Sequence, residues 1–300
     1  MPSEDTGPAQ AEIRVGVAVQ LAPAVRRLTA PNPGLMTGPG TNSYLLGRDR
    51  GAASDYVVLD PGPAIEAHLQ ALLAAAGGRV AAILVTHTHR DHSPGAARLA
   101  ALTGAPCIGL PPPAQSGHPG GQDLSFVPQH QPADAEVIER AGLRLQAVHT
   151  PGHASNHVCW WLEEACMLFT GDHLMQGSTV VIDPPDGDMA AYLASLRALP
   201  ARLPALEWLA PGHGVLMDQP VQAINRLLLH RQRREDKVLA ALHDTDHRPI
   251  SALLPAVYED VPPHLHPAAQ RSLLAHLLKL QQEGRADQTV GGWRLRPCAP

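Results

Sequence analysis

The sequence predicts an α/β fold with a small C-terminal appendage, on three observations. A continuous apolar run at residues 79–86 is flanked by two helix-like segments, β-like segments keep alternating with helical ones up to about residue 210, and the character of the chain changes near Pro220. At 300 residues the chain is long for one compact unit, and it reads as a polar, disordered stretch at 1–10, a main α/β unit at 11–220 and a separate unit at 221–300.

In chain order, 12–19 and 25–28 read as strands, followed by a Pro/Gly-rich loop of defined shape at 31–42. Strands at 43–47 and 56–60 form a hairpin around a turn at 48–55. Residues 63–76 have Pro at the start and Gly77-Gly78 just past the end, the asymmetry of a helix. The run at 79–86 has the pattern of a strand buried on both faces. Ser93 and Pro94 then cap and open a helix to about 102.

Residues 110–132, rich in Pro, Gly, Gln and His, read as a long surface loop of the kind that serves as a lid. Strands follow at about 135–139, 143–149, 157–162 and 166–170, then a helix at 188–199 and a short strand near 207–210. Trp160 and Trp161 point to opposite faces of their strand, so at most one is expected in the core. Beyond Pro220, helical segments at 221–243, 249–258 and 267–283 precede two short strands around Gly291-Gly292, the order of a winged helix.

Composition excludes several classes. Aromatic residues make up only 3%, so the core is built from Ala, Leu and Val. No run of 18 apolar residues exists and the first residues lack a secretory pattern, so the expectation is a cytoplasmic protein without a membrane partner. Cys107, Cys159, Cys166 and Cys298 show no CxxC spacing and read as plain thiols. The net charge is -5, yet residues 221–300 carry 11 Lys+Arg against 8 Asp+Glu, which keeps nucleic acid open as a partner of that unit.

Histidine is the unusual component, with 17 copies. Residues 87–92 read His-Thr-His-Arg-Asp-His, and chance supplies such a four-position pattern about 0.003 times in a chain of this composition. His87 and His89, at i and i+2 on an extended segment, project to one side and can hold one ion together. Asp91 and His92 lie past the bend and can face a second. Zinc wants four or five ligands, and three further strand ends offer them: His153 in Thr-Pro-Gly-His, Asp172 in Thr-Gly-Asp-His and His213 in Pro-Gly-His-Gly. Each follows glycine, which permits close backbone approach.

This set resembles the metallo-β-lactamase superfamily. The resemblance implies an αββα sandwich and two divalent metal ions, most simply Zn²⁺. By it, His87, His89 and His153 bind the first ion, Asp91, His92 and His213 the second, and Asp172 bridges them. Asp60, at the end of its strand, matches the aspartate that supports the ligands from behind. The segments NPGLMTGPGTNSYLLG, TPGHASNH and GDHLMQGSTVVI, with the basic helix after PGHG, are similar to the lactamase-β-2-like group, which carries a C-terminal winged helix and has a single-strand RNA endonuclease as its characterised mitochondrial member.

The resulting expectation is a dinuclear hydrolase whose metal-bridging hydroxide attacks a small-molecule ester, thioester or lactone, with Asp91 accepting the proton. An RNA phosphodiesterase, in which Arg231, Arg233 and Arg234 hold the strand, is the alternative, and a non-catalytic nucleic-acid-binding protein the remote one. His157, Ser178 and Thr179 are candidate substrate contacts. The C-terminal unit has a plain structural use as well, packing on the main unit or on a second copy in a homo-oligomer.

Overall fold

The computed structural model describes residues 12–48, 51, 54–114, 121–243 and 247–296. The stretch at 1–10, the centre of the 110–132 segment and Cys298 lie outside the described residues. Among these residues one sheet takes six strands in chain order: β1 (Ala18–Ala22), β2 (Val25–Thr29), β3 (Asn42–Leu46), β4 (Tyr56–Leu59), β5 (Val80–Leu84) and β6 (Cys107–Ile108). A second sheet runs from β7 (Val137–Arg140) through β8 (Leu143–His149), β9 (Val158–Leu162) and β10 (Met167–Gly171) to β11 (Trp208–Pro211).

The sheets pack face to face through Val25, Tyr44, Leu46, Leu145, Trp160 and Phe169. Helices α1 (Glu66–Ala75) and α2 (Gly95–Thr103) cover the outer face of the first sheet with Leu69, Leu72 and Leu99. Helix α3 (Met189–Arg202) covers the second with Tyr192, Leu196 and Leu199. The architecture is the αββα sandwich expected from the resemblance.

Because both faces of the second sheet are covered, both tryptophans of β9 are core residues. Trp160 enters the inter-sheet layer and Trp161 the layer under α3, so the expectation of at most one core ring fails. Three other expectations are corrected. The first strand begins at Ala18 rather than 12, since Gly16 turns the chain at φ +74° and leaves only a bridge from Val15 to Thr29. Ser93 caps nothing, because its hydroxyl donates to Asp123 Oδ2 at 2.8 Å. The described end of the 110–132 segment is a surface loop only in part: Leu124 and Val127 are 70% exposed, but Gln122 and Asp123 are buried, and Asp123 N donates to the Thr88 carbonyl.

Helix α4 (Pro220–His243) links the two units. Ile224 near its start belongs to the core under α3, whereas Val238 and Leu242 belong to a separate core. That second core is closed by α5 (Ile250–Val257), α6 (His266–Gln282) and the hairpin β12 (Ala286–Thr289) and β13 (Gly292–Leu295), with Trp293 at its centre. Helix, helix, helix, hairpin is the expected winged-helix order. No helix among the described residues is long and apolar enough to cross a membrane.

Candidate metal centre

Five strand ends converge at one edge of the sandwich. The parallel pair β4–β5 delivers Asp60 and the 87–92 segment, and the parallel pair β10–β11 delivers Asp172 and His213. His153 follows β8. Close approach is built into the backbone: a Cβ on Gly212 would stand 2.7 Å from His92 Cε1 and 2.8 Å from Asp172 Oδ1. On Gly171, at φ +46°, it would stand 2.5 Å from Thr86 Oγ1. Side chains at these positions would push the cluster apart. All seven residues singled out in the sequence are thereby brought together.

The hydrogen bonds behind the rings decide which nitrogens face inward. The Thr86 hydroxyl donates to Asp60 Oδ2 at 2.8 Å, so its oxygen must accept from His87 Nδ1 at 3.0 Å, leaving His87 Nε2 a lone pair. His153 Nδ1 donates to the Val181 carbonyl at 2.8 Å and likewise leaves Nε2 bare. Both bare nitrogens lie 2.9 Å from His89 Nδ1. One proton on His89 can serve only one of them, so the trio cannot satisfy itself by hydrogen bonding. Burial holds all three rings below the usual imidazole range, His153 down to about 4. Neutral, convergent lone pairs are what a cation requires of imidazole ligands.

The second group is charged. His92 Nδ1 is 2.9 Å from Asp60 Oδ2, which aims Nε2 at Asp91 Oδ2 (3.3 Å) and Asp172 Oδ1 (3.4 Å). His213 Nδ1 donates to the Gly40 carbonyl, and its Nε2 is 3.1 Å from Asp91 Oδ2 and 3.3 Å from Asp172 Oδ1. Burial opposes charge on all four groups, but the mutual attraction outweighs it. Both carboxyls sit well below their usual range, His92 well above, and His213 is raised to about 10. Asp172 turns Oδ1 to this group and Oδ2 toward His153, at 3.7 Å. The buried His92 Nε2 and Asp172 Oδ1 have no hydrogen-bond partner within the protein. Among the described residues three overlapping sets, His87–His89–His153, His87–His92–Asp172 and Asp91–His92–His213, each bring their donor atoms within 4.8 Å of one another and could hold a divalent ion. The donor set fits.

The support contains residues the sequence reading missed. Thr41 Oγ1 donates to Asp91 Oδ2 at 3.1 Å, and Thr88, between two ligands, donates to Gln122 and accepts from Asn156. Arg271 of α6 reaches the cavity over the centre and pairs with Asp183 at 3.2 Å. Lone threonines and an arginine 99 positions beyond Asp172 carry no local signal.

Other expected contacts fall elsewhere. His157 is fully buried, stacked on His87 with ring centroids 5.0 Å apart and bonded to Thr150, so it supports the trio from beneath and does not line the cavity over the centre. Ser178 and Thr179 line neighbouring cavities against the C-terminal unit, not the one over the metal centre. Arg231 and Arg234 are 3% and 5% exposed, engaged with the Val180 carbonyl and Asp260, so they are not a nucleic-acid surface; only Arg233 of the three is exposed.

The cavity over the centre has a volume of about 490 Å³, within the range of small-molecule sites. His89, Asp91, His153, Asp172 and His213 form its floor, and Met36, Met175, Val180 and Val181 an apolar wall. Known proteins share this plan. The description of the Metallo-beta-lactamase superfamily matches residues 36–213, and that of the Beta-lactamase associated winged helix domain matches 250–293. The chain is 30% identical over 285 residues to Beta-lactamase-like protein 2 homolog of Drosophila melanogaster, covering 88% of this chain and 92% of that one. It is 33% identical over 229 residues to Atrochrysone carboxyl ACP thioesterase of Aspergillus fumigatus, covering 75% of this chain and 66% of that one. A metallo-beta-lactamase family protein from Thermus thermophilus has the same fold, with a TM-score of 0.74 at 24% identity over 92% of this chain and 99% of that one. Fold, clustered ligands and these matches agree: the chain belongs to the metallo-β-lactamase superfamily and ends in a β-lactamase-associated winged helix.

Proposed function

We propose that the protein is a dinuclear, zinc-dependent hydrolase of small acyl substrates, with thioesters first and esters or lactones next. His87, His89 and His153 would hold one ion, Asp91, His92 and His213 the other, and Asp172 one oxygen toward each. The observation that carries the reading is the convergence of bare imidazole nitrogens and of the Asp91 and Asp172 carboxylates on the floor of a cavity with one apolar side. When bound, two such cations supply a water acidic enough to attack at neutral pH and a Lewis acid for the carbonyl oxygen. Water adds to the acyl carbon, the C–S or C–O bond breaks, and a carboxylic acid and a thiol or alcohol leave.

The chain's own groups orient and move the proton. Asp91 lines the cavity, and its side chain is more exposed than that of Asp172, at 26% against 12%. It is the carboxylate placed to take the proton released as water adds. Thr41 and His213 hold Asp91 on its Oδ2 side. The apolar wall favours an acyl group over a nucleic-acid backbone, and a thioesterase among the relatives points the same way. We place the chain in a reducing, cytoplasmic setting, with which the free, buried thiols of Cys107 and Cys159 are compatible.

The test is metal analysis joined to a panel of an acyl thioester, a lactone, a β-lactam, bis-p-nitrophenyl phosphate and single-stranded RNA, with His89→Ala as control. Thioester turnover lost in the variant is expected. RNA cleavage lost in the variant, without acyl turnover, would overturn the reading.

A further inference from the structure

The cavity over the metal centre adjoins a second one against the C-terminal unit. Met36, Met175, Val180 and Val181 line it and equally line a second cavity of about 250 Å³. The far wall of that second cavity belongs to the C-terminal unit, with Tyr258 and Val261 beyond α5 and Leu265 and Ala268 at the start of α6. Exposed Leu35 and Met36, at 66% and 49%, stand on the loop beside it, an apolar pair left in water next to a polar site.

The 180–182 segment that the two cavities share is fastened from both sides. His153 donates to the Val181 carbonyl on the metal side, while Arg231 of α4 donates to the Val180 carbonyl and Ile182 N donates to Ser272 Oγ of α6. The C-terminal unit thus walls a cavity that shares four lining residues with the one over the metal centre. The two cavities share an apolar side, and the reacting groups lie at one end only.

Resting on the acyl-hydrolase reading, we propose that the second cavity is the acyl subsite, which puts Ser178 and Thr179, in its lining together with His230, Arg231 and Arg234, back among the residues around the substrate. A linear acyl group of medium length lies across Met36, Met175, Val180 and Val181, its carbonyl at the metal centre and its distal methylenes against Leu265 and Ala268. The winged helix is then a specificity wall that reads acyl length. Each methylene buried along it raises affinity about three- to fourfold.

The experiment uses the full, metal-loaded chain and a series of N-acetylcysteamine thioesters from acetyl to decanoyl, comparing wild type with Ala268→Trp. The wild-type kcat/KM is expected to climb at least tenfold from acetyl to octanoyl, and the variant to lower the octanoyl-to-acetyl ratio tenfold or more. Octanoate should raise the Tm of wild type and not of the variant, a readout independent of turnover. Should Ala268→Trp fail to fold, Ala268→Leu is read in the same way. A flat wild-type profile, or an unchanged ratio in a folded variant, overturns the subsite while leaving the hydrolase reading intact. Octanoate binding that the variant abolishes, with no thioester hydrolysed, has the opposite meaning: the subsite stands and the hydrolase reading falls.

Discussion

His92 Nδ1 lies 2.9 Å from Asp60 Oδ2, and that contact fixes which nitrogen His92 presents to the cluster. Asp60 holds the position at φ +48°, an uncommon conformation for a residue other than glycine, and Thr86 N donates to its other oxygen at 2.7 Å. Asp60→Asn offers an amide that can donate to Nδ1 and free the wrong tautomer. Metal affinity at the second group should fall about 10- to 100-fold, read by competition with a chromophoric chelator. Unchanged affinity would show that the aspartate is only a turn residue.

Asp91→Asn separates ligation from proton transfer. At metal concentrations that keep both ions bound, turnover should fall by about 10²-fold or more. Full turnover with both ions retained would remove Asp91 from the proton path.

Gly212→Ala tests the close approach. The added methyl must displace His92 or Asp172, so metal content should drop while the far-ultraviolet dichroism of the fold stays unchanged. Retention of the full metal complement would mean that the cluster has slack.

The clustering of the candidate ligands was legible in the sequence, because they sit on short motifs at strand ends where glycine marks the backbone approach. His87, His89, Asp91, His92, His153, Asp172 and His213 all meet, as the motif spacing and the resemblance implied. What stayed hidden depends on tertiary packing. Only one of Trp160 and Trp161 was expected in the core because the cover that α3 gives the second face is not written in the strand, and Arg231 and Arg234 looked like a basic stripe until α4 turned them inward. Thr41 and Gln122 reach the site from loops whose course no local pattern encodes.

The C-terminal core carries its own acid sensitivity. Burial raises the Glu235 carboxyl, but His276 and Lys279 outweigh it and hold it down to about 2; Lys279 Nζ is 2.7 Å away. A carboxyl depressed in the folded state stabilises above its unfolded pKa of about 4.3, and that stabilisation is lost as pH falls toward 2. Burial also takes His276 down to about 4, so its contribution fades in the same direction from about pH 6.5. Glu235→Gln leaves Lys279 with Glu283, also at 2.7 Å, as its remaining carboxylate and should cost about 1.5 kcal/mol near pH 7. The difference in Tm between wild type and variant should shrink between pH 5 and pH 2. A constant difference across that range would contradict the ion-pair account.

The central claim is that the seven-residue cluster holds two catalytic ions. The most direct measurement is a metal titration of chelator-stripped protein, following bound metal by mass spectrometry and thioester hydrolysis in the same samples. The account predicts saturation at two ions per chain, with activity rising to its maximum as the second binds and neither binding nor activity in His89→Ala/His213→Ala. Hydrolysis that persists in the stripped protein, or in the double variant without bound metal, would contradict it.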